Sequence, residues 1–202
     1  MLVLGTLGNG LFGAGMRAVS EREQNILRRF KVAPITPVPL LIAAMSTGWI
    51  TFIPLIGIVL ALAHYLYGMS VPAQWPSLLA IVSLGIVAFR SIGLIVAAVV
   101  NSLQEANIII QMLYLPMMFV SGATFPVWML PEWMQAFSQF LPATHLARAI
   151  QGIMLRGETL GQHRTAIFAL LITTVVATFV SAQLFRWEKE EKLKTRAKLW
   201  VL

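Results

Sequence analysis

Arg90 is the only charged residue inside any of the long apolar runs of this chain. An ionisable side chain placed there marks, by default, a route or a binding site for something polar. Its position nearer one end of its run allows a second reading, in which the long stem lets the guanidinium snorkel to the membrane surface. Other residues capable of chemistry do not assemble into a reactive set. His64, His145 and His163 are too scattered to suggest a metal site, and His64, beside Tyr65 and Tyr67, suits a ring at a membrane–water boundary. The sequence has no cysteine, no G-x-x-x-x-G-K-[ST], no H-E-x-x-H and no paired carboxylates within one apolar run. Gly8-Asn9-Gly10-Leu11-Phe12-Gly13 does spell G-x-G-x-x-G. That pattern cradles a dinucleotide only between the strand and helix of a βαβ unit, which nothing in this chain can build. Gly10 and Ala14 instead form a small-xxx-small pair of the kind that lets two helices approach closely. No catalytic site, metal or cofactor bound by this chain is expected.

The elements that must position Arg90 are membrane helices. Hydrophobic residues make up 58% of the chain and charged ones 11%, with a mean hydropathy of +0.79; soluble domains carry about a quarter charged residues. Asp is absent. The net charge of +7 does not point to nucleic acid, because the basic residues flank apolar runs as topology signals do. The expected fold is an all-α polytopic membrane protein, a single transmembrane domain over 1–202. About five spans are expected, at 1–18, 39–66, 75–100, 108–121 and 165–186, with 101–107 as a polar turn. The first is short for a bilayer, and the chain starts almost inside it, so further sequence is expected upstream. The second is longer than the ~30 Å hydrocarbon core requires and should tilt or kink near Pro54.

Two polar stretches stand out. In 20–31, Ser20 and Glu23 spell the capping box Ser-x-x-Glu. Glu21 and Glu23 would occupy the first turn of a helix, and Arg28, Arg29 and Lys31 the last, matching its dipole at both ends. Ile26, Leu27 and Phe30 give it a narrow apolar stripe, and Pro34, Pro37 and Pro39 end it. Either a short amphipathic helix lies on the membrane surface here, or a solvated loop carries a frayed helix. In 122–157 the chain breaks at Ser121-Gly122 and is cut by Pro126, Pro131 and Pro142. One helix is expected at 132–140, with Trp133, Met134, Phe137 and Phe140 on one face. A second begins near 143, with Leu146, Ile150, Ile153 and Met154 on one face, Arg148, Gln151 and Arg156 away from it, and Gly157 as its stop. Neither reaches the ~20 apolar residues that a span needs. They read as an amphipathic hairpin, re-entrant or interfacial, or more plainly as a loop shielding the ends of the spans.

Lys and Arg set the orientation. Five lie between Arg17 and Lys31 and six in the tail, 187–202 with Arg186, so eleven of fifteen sit at two places. With five spans those places share one side, which the positive-inside rule makes cytoplasmic. The hairpin is then outside, and the tail lies along the inner surface.

Two motifs carry a family resemblance. SEREQNILRRFKVAPITPVP, from Ser20, is similar to the cytoplasmic segment after the second span of the ABC-2 type transporters, the permeases of bacterial ABC exporters. The stretch from Ser121 to Gly157, with Ser-Gly, Phe-Pro, Leu-Pro-Glu-Trp, Leu-Pro-Ala-Thr and a closing basic-Gly, resembles that family's outer hairpin. The chain resembles the C-terminal five of the family's six spans. Asn25 stands where a Gly is common, and Gln151 where an Arg is common.

The resemblance implies a division of labour. A separate soluble ABC ATPase subunit, holding ATP and Mg, would seat on a coupling helix formed by Ser20, Glu21, Arg22, Glu23, Leu27, Arg28, Arg29 and Phe30. Ser121, Gly122, Phe125, Pro126, Pro131, Trp133 and Pro142 would form an outer gate. Two permease chains, identical or related, would enclose a path in the membrane lipid for a hydrophobic or amphipathic compound: a drug, a lipid or an antibiotic. Polysaccharide export is the alternative within the family. A non-transporting scaffold or truncated remnant is the alternative outside it.

Overall fold

The computed structural model describes residues 1–26, 37–68 and 72–184, and among these every regular element is helical. Seven α-helices follow in order: α1 Leu2–Glu23, α2 Pro37–Tyr67, α3 Trp75–Val99, α4 Leu103–Val120, α5 Glu132–Ser138, α6 Pro142–Arg156 and α7 Arg164–Leu184. Short 3-10 turns at Val127–Met129 and Leu160–His163 precede α5 and α7.

Among the described residues, four helices are long and apolar enough to cross a membrane: Ile42–Tyr67, Trp75–Val99, Leu103–Val120 and Leu160–Leu184. The all-α polytopic fold is as expected; α1, read from the sequence as the first of about five spans, is long enough but falls short of that measure in apolarity. Its 22 residues would reach about 33 Å. Thr6, Asn9, Arg17 and several glycines dilute its apolarity. It need not face lipid, since α3, α4, α2 and α6 all pack on it. A helix sheathed by protein can carry polar positions that a lipid-facing helix cannot.

The α1–α3 seam is the centre of the bundle. Thr6 meets Gly85, Gly10 meets Phe89, Gly15 meets Gly93 and Arg22 meets Ala97, so the two helices run in the same direction. A Cβ on Gly10 would stand 2.3 Å from Phe89 Cβ, and one on Gly93 2.6 Å from the Leu11 carbonyl oxygen. The G-x-G-x-x-G stretch is therefore a packing surface, as Gly10 and Ala14 led us to expect; Ala14 is itself buried against Leu94. Further out, Ser91 Oγ lies 3.0 Å from Thr178 Oγ1 on α7, and Trp49 Nε1 on α2 donates to Ser83 Oγ at 2.8 Å.

Three helix boundaries differ from expectation. Ser20 and Glu23 do not open a helix: they form the last turn of α1, which runs on past the expected end at 18. The Ser20 hydroxyl is taken by Gln24 Nε2 at 2.9 Å, and the helix stops where Asn25 adopts φ 58°. Asn tolerates the left-handed region better than any residue but Gly, which suits it to this stop. Next, α4 begins at Leu103, five residues before the expected 108. Ser102 is its N-cap and accepts from the Glu105 amide at 3.2 Å, while the Glu105 carboxylate accepts from the Asn101 amide at 2.7 Å. The N-cap that failed at Ser20 is made here, with the Glu105 carboxylate reaching one residue further back than a full capping box would. Last, α5 ends at Ser138, two residues short of 140. Pro54 lies within α2. Residues 27–36, including Leu27, Arg28, Arg29 and Phe30 of the expected coupling helix, and the tail 187–202 lie outside the described residues.

Candidate functional site

At the end of the bundle where α1 finishes, Arg22 is buried, only 4% exposed. Its Nη1 donates to the Ala97 carbonyl at 2.8 Å and its Nη2 to that of Val100. These carbonyls belong to the end of α3, where acceptors are left over by the helix's own hydrogen-bond ladder and favour a cation. Glu23 Oε1 accepts from the Leu103 amide at 3.2 Å, one of the equally orphaned donors at the start of α4. Two consecutive residues thus staple the end of α1 to both sides of the α3–α4 elbow. Ser20 and Glu21 do neither. Glu21 pairs with Arg17 at 2.8 Å on the surface, a contact worth little in water. Four residues expected to act together at Ser20–Glu23 therefore divide into two that bind the protein's own frame and two that face outward.

Arg90 lies mid-bundle and is 3% exposed. Its side chain leaves α3 and enters a slot between α1 and α2. A Cβ on Gly48 would lie 2.4 Å from Arg90 Cζ, and one on Gly13 2.9 Å from Nη1. Nη1 donates to Asn9 Oδ1 at 3.1 Å and weakly to the Asn9 carbonyl at 3.4 Å, while Nε has no partner. It does not snorkel to a surface. Glycine on each flanking helix makes room for it inside.

At the opposite end, the hairpin is a built structure. α6 inserts among α3, α4, α1 and α7 through the face expected for it, with Leu146, Ile150 and Ile153 buried and Arg148, Gln151 and Arg156 exposed. Leu146 packs against the Gly85 position, about 15 Å along α3 from Trp75. Gly157, φ 66°, ends α6 as anticipated. Ser121 is buried, Gly122 has φ 84°, and Gln151 Nε2 donates to the Gly122 carbonyl at 3.0 Å, tying α6 to the end of α4. Of the expected gate residues, Ser121 and Gly122 meet at this tie, and Phe125 stacks on Phe119 with ring centroids 6.1 Å apart. Pro142 opens α6, whereas Pro126, Pro131 and Trp133 stand exposed and separate from that tie. The apolar face of α5 points outward: Trp133 and Phe137 are 71% and 52% exposed.

Between α6 and α7, Arg156 Nε donates to Glu158 Oε1 at 2.6 Å, and His163 Nε2 lies 3.0 Å from Glu158 Oε2. The hydrogen bond from Arg156 holds the Glu158 carboxyl below its ordinary range and raises the arginine in return. Sequence reasoning passed over this strap. The spacing Arg156-x-Glu158 next to a helix-ending glycine was its only signal. His145 Nε2 sits 2.8 Å from the Gln139 carbonyl, and His64 packs its ring on Tyr65. Among the described residues no three metal-ligating side chains converge.

The profile of the ABC-2 type transporter family matches residues 1–155. The chain belongs to that family. The ABC-2 match takes in the α1–α3 seam, the elbow, Arg90 and nearly all of the hairpin. Similar proteins include the inner membrane transport permease YhhJ of Escherichia coli (strain K12), 25% identical over 71% of this chain and 38% of its own. Nodulation protein J of Rhizobium leguminosarum bv. trifolii is 34% identical over 65% of this chain and 48% of its own. The probable multidrug ABC transporter permease YbhR of Escherichia coli (strain K12) is 25% identical over 82% and 45%. The chain thus spans less than half the length of these relatives. No solved structure matches it.

Proposed function

We propose that the chain is the permease part of an ATP-driven exporter in the inner membrane of a prokaryote, working with a separate ATPase and a second permease chain. The observation that carries this beyond family membership is the staple at the α1 end. Within 20–31, the segment on which the ATPase would seat, Arg22 and Glu23 hold the α3–α4 elbow. A push on that segment is then delivered to three helices at once. The stapled end is cytoplasmic by its basic residues, the hairpin faces outward, and the tail returns to the cytoplasm. The cargo is a hydrophobic or amphipathic compound, in keeping with a relative whose name carries the word multidrug.

Charge reversal at Glu21, Arg28 and Arg29 is expected to abolish co-purification of the ATPase and ATP-driven efflux while leaving the chain folded. Retention of both would refute the coupling role. Single cysteines in this cysteine-free chain test the orientation: Ala136→Cys should react with an impermeant maleimide in whole cells and Thr195→Cys should not.

A further inference from the structure

A stripe along α1 at i, i+4 and i+8 holds Asn9, Gly13 and Arg17, two polar side chains with a glycine between them. Its members are partly or fully exposed, unlike Leu7, Leu11 and Ala14, which are sealed against the other helices. At membrane depth a polar stripe left uncovered faces a polar cavity or a polar ligand, since lipid tails cannot satisfy it. Arg90 reaches this stripe from α3, its Nη1 lying against Asn9 and the Gly13 position. It sits about 22 Å from the Trp75 end of α3 and about 14 Å from the Val99 end.

Its electrostatics are incomplete. A guanidinium keeps its charge and offers five donors. Here Arg90 is buried, Nη1 meets only the neutral oxygens of Asn9, and Nε meets nothing. Among the described residues no carboxylate pairs with it, and Glu21, the nearest acid along the stripe, is already paired with Arg17. A buried cation without an anion is strongly disfavoured, and an arriving anion would replace two neutral contacts by charge-assisted ones.

We propose that Arg90, with Asn9 and Arg17, forms a binding track for the anionic headgroup, carboxylate or phosphate, of an amphiphile whose tail lies against the exposed apolar flank of α2. Arg17, 58% exposed one turn beyond Gly13, exchanges its solvent-exposed Glu21 partner for the headgroup first, and Arg90 holds it at mid-depth. Gly48 and Gly13 give the guanidinium its place between the two helices, beside the stripe. As a route for cargo this rests on the transport reading; as a binding site it does not.

The test uses the whole chain in neutral detergent, titrated with dioleoyl phosphatidylglycerol, dioleoyl phosphatidylcholine, oleate and inorganic phosphate, with bound ligand counted by native mass spectrometry. One phosphatidylglycerol per chain is expected, at least tenfold tighter than phosphatidylcholine, with free phosphate unable to displace it. Oleate binding as well would assign the site to anionic amphiphiles generally, and phosphatidylglycerol alone to the bilayer's own lipid. Arg90→Gln should weaken anion binding at least tenfold, Arg90→Lys less. Arg17→Gln, at an exposed position that does not endanger folding, should weaken it several-fold and decides the matter if Arg90→Gln misfolds. Equal affinity for the two phospholipids, displacement by phosphate alone, or variants that bind like the parent would overturn the proposal. Arg90-dependent binding without ATP-driven flux would remove the transport reading and leave this site standing; flux without such binding would do the reverse.

Discussion

The glycine-rich start of the chain allows two residues two apart to be told from one another by a single methyl group. A Cβ at Gly10 would be 2.3 Å from Phe89 Cβ and 3.0 Å from the Phe89 carbonyl carbon, whereas at Gly8 the nearest atom, Tyr114 Cε2, is 4.0 Å away. Carbon atoms rest about 3.5–4.0 Å apart, so Gly10→Ala must open the α1–α3 seam by more than about 1 Å. The obstacle is a Cβ and backbone, which cannot swing aside. Overpacking of this kind costs about 1–3 kcal/mol, and here it would also loosen the other close approach at Gly93. Gly8→Ala meets an ordinary contact and gains up to about 1 kcal/mol of helix propensity. In thermal unfolding of the purified chain, a protein of this size shifts about 2–4 °C per kcal/mol. Gly10→Ala should therefore lower the midpoint by several degrees, while Gly8→Ala leaves it unchanged or raises it slightly. Equal effects at the two positions would refute the packing assignment of the G-x-G-x-x-G stretch.

Removing the Arg22 side chain is expected to destabilise the chain by about 2–4 kcal/mol, because two hydrogen bonds from a charged donor are lost at a buried helix end. Amide exchange should rise at Leu103 and its neighbours but not in α7, and unaltered exchange at the elbow would contradict the staple. The Arg156–Glu158 strap should depend on pH in a set direction. Because the folded protein holds the Glu158 carboxyl below its ordinary value, its contribution is present above the unfolded-state value and is lost as pH falls through the folded one. The unfolding midpoint of Glu158→Gln should lie below that of the parent at pH 7 and converge with it in the acid range, below about pH 4; a gap that widens in acid would reverse the assignment.

What the sequence made legible follows from how each signal works. The buried face of α6 was readable because a single period, from Leu146 through Ile150 to Ile153, fixes which side turns inward, and Gly157 could only be a stop. The helix starts were not, because Ser-x-x-Glu occurs twice, at Ser20–Glu23 and at Ser102–Glu105. Only the second follows a real chain break, and only tertiary contact explains the first. Arg22 and Glu23 reach residues more than seventy positions away, so α1 runs through to present them. Gln151 drew notice as a residue off the apolar face and as a departure from the family pattern, not as the tie from α6 to Gly122 that it makes. No periodicity announces a contact across 29 residues.

The division within Ser20–Glu23 changes how any mutational scan of that segment has to be interpreted. Loss of transport on changing Arg22 or Glu23 would follow from a broken elbow whether or not an ATPase ever touches those residues. Loss on changing Glu21 would not, since its Arg17 pair is exposed and contributes little to folding. The same distinction extends to reversals that include Glu23, which would disturb the α4 start and the proposed partner surface together. Glu21 and the basic residues beyond the staple are thus the positions where partner binding and internal framing come apart. If a Glu21→Lys chain unfolds at the parental temperature yet no longer retains the ATPase, the surface past α1 is the seat. If Glu21→Lys retains it fully and only Arg22 or Glu23 variants fail, the segment serves the bundle's own architecture and the seat lies elsewhere.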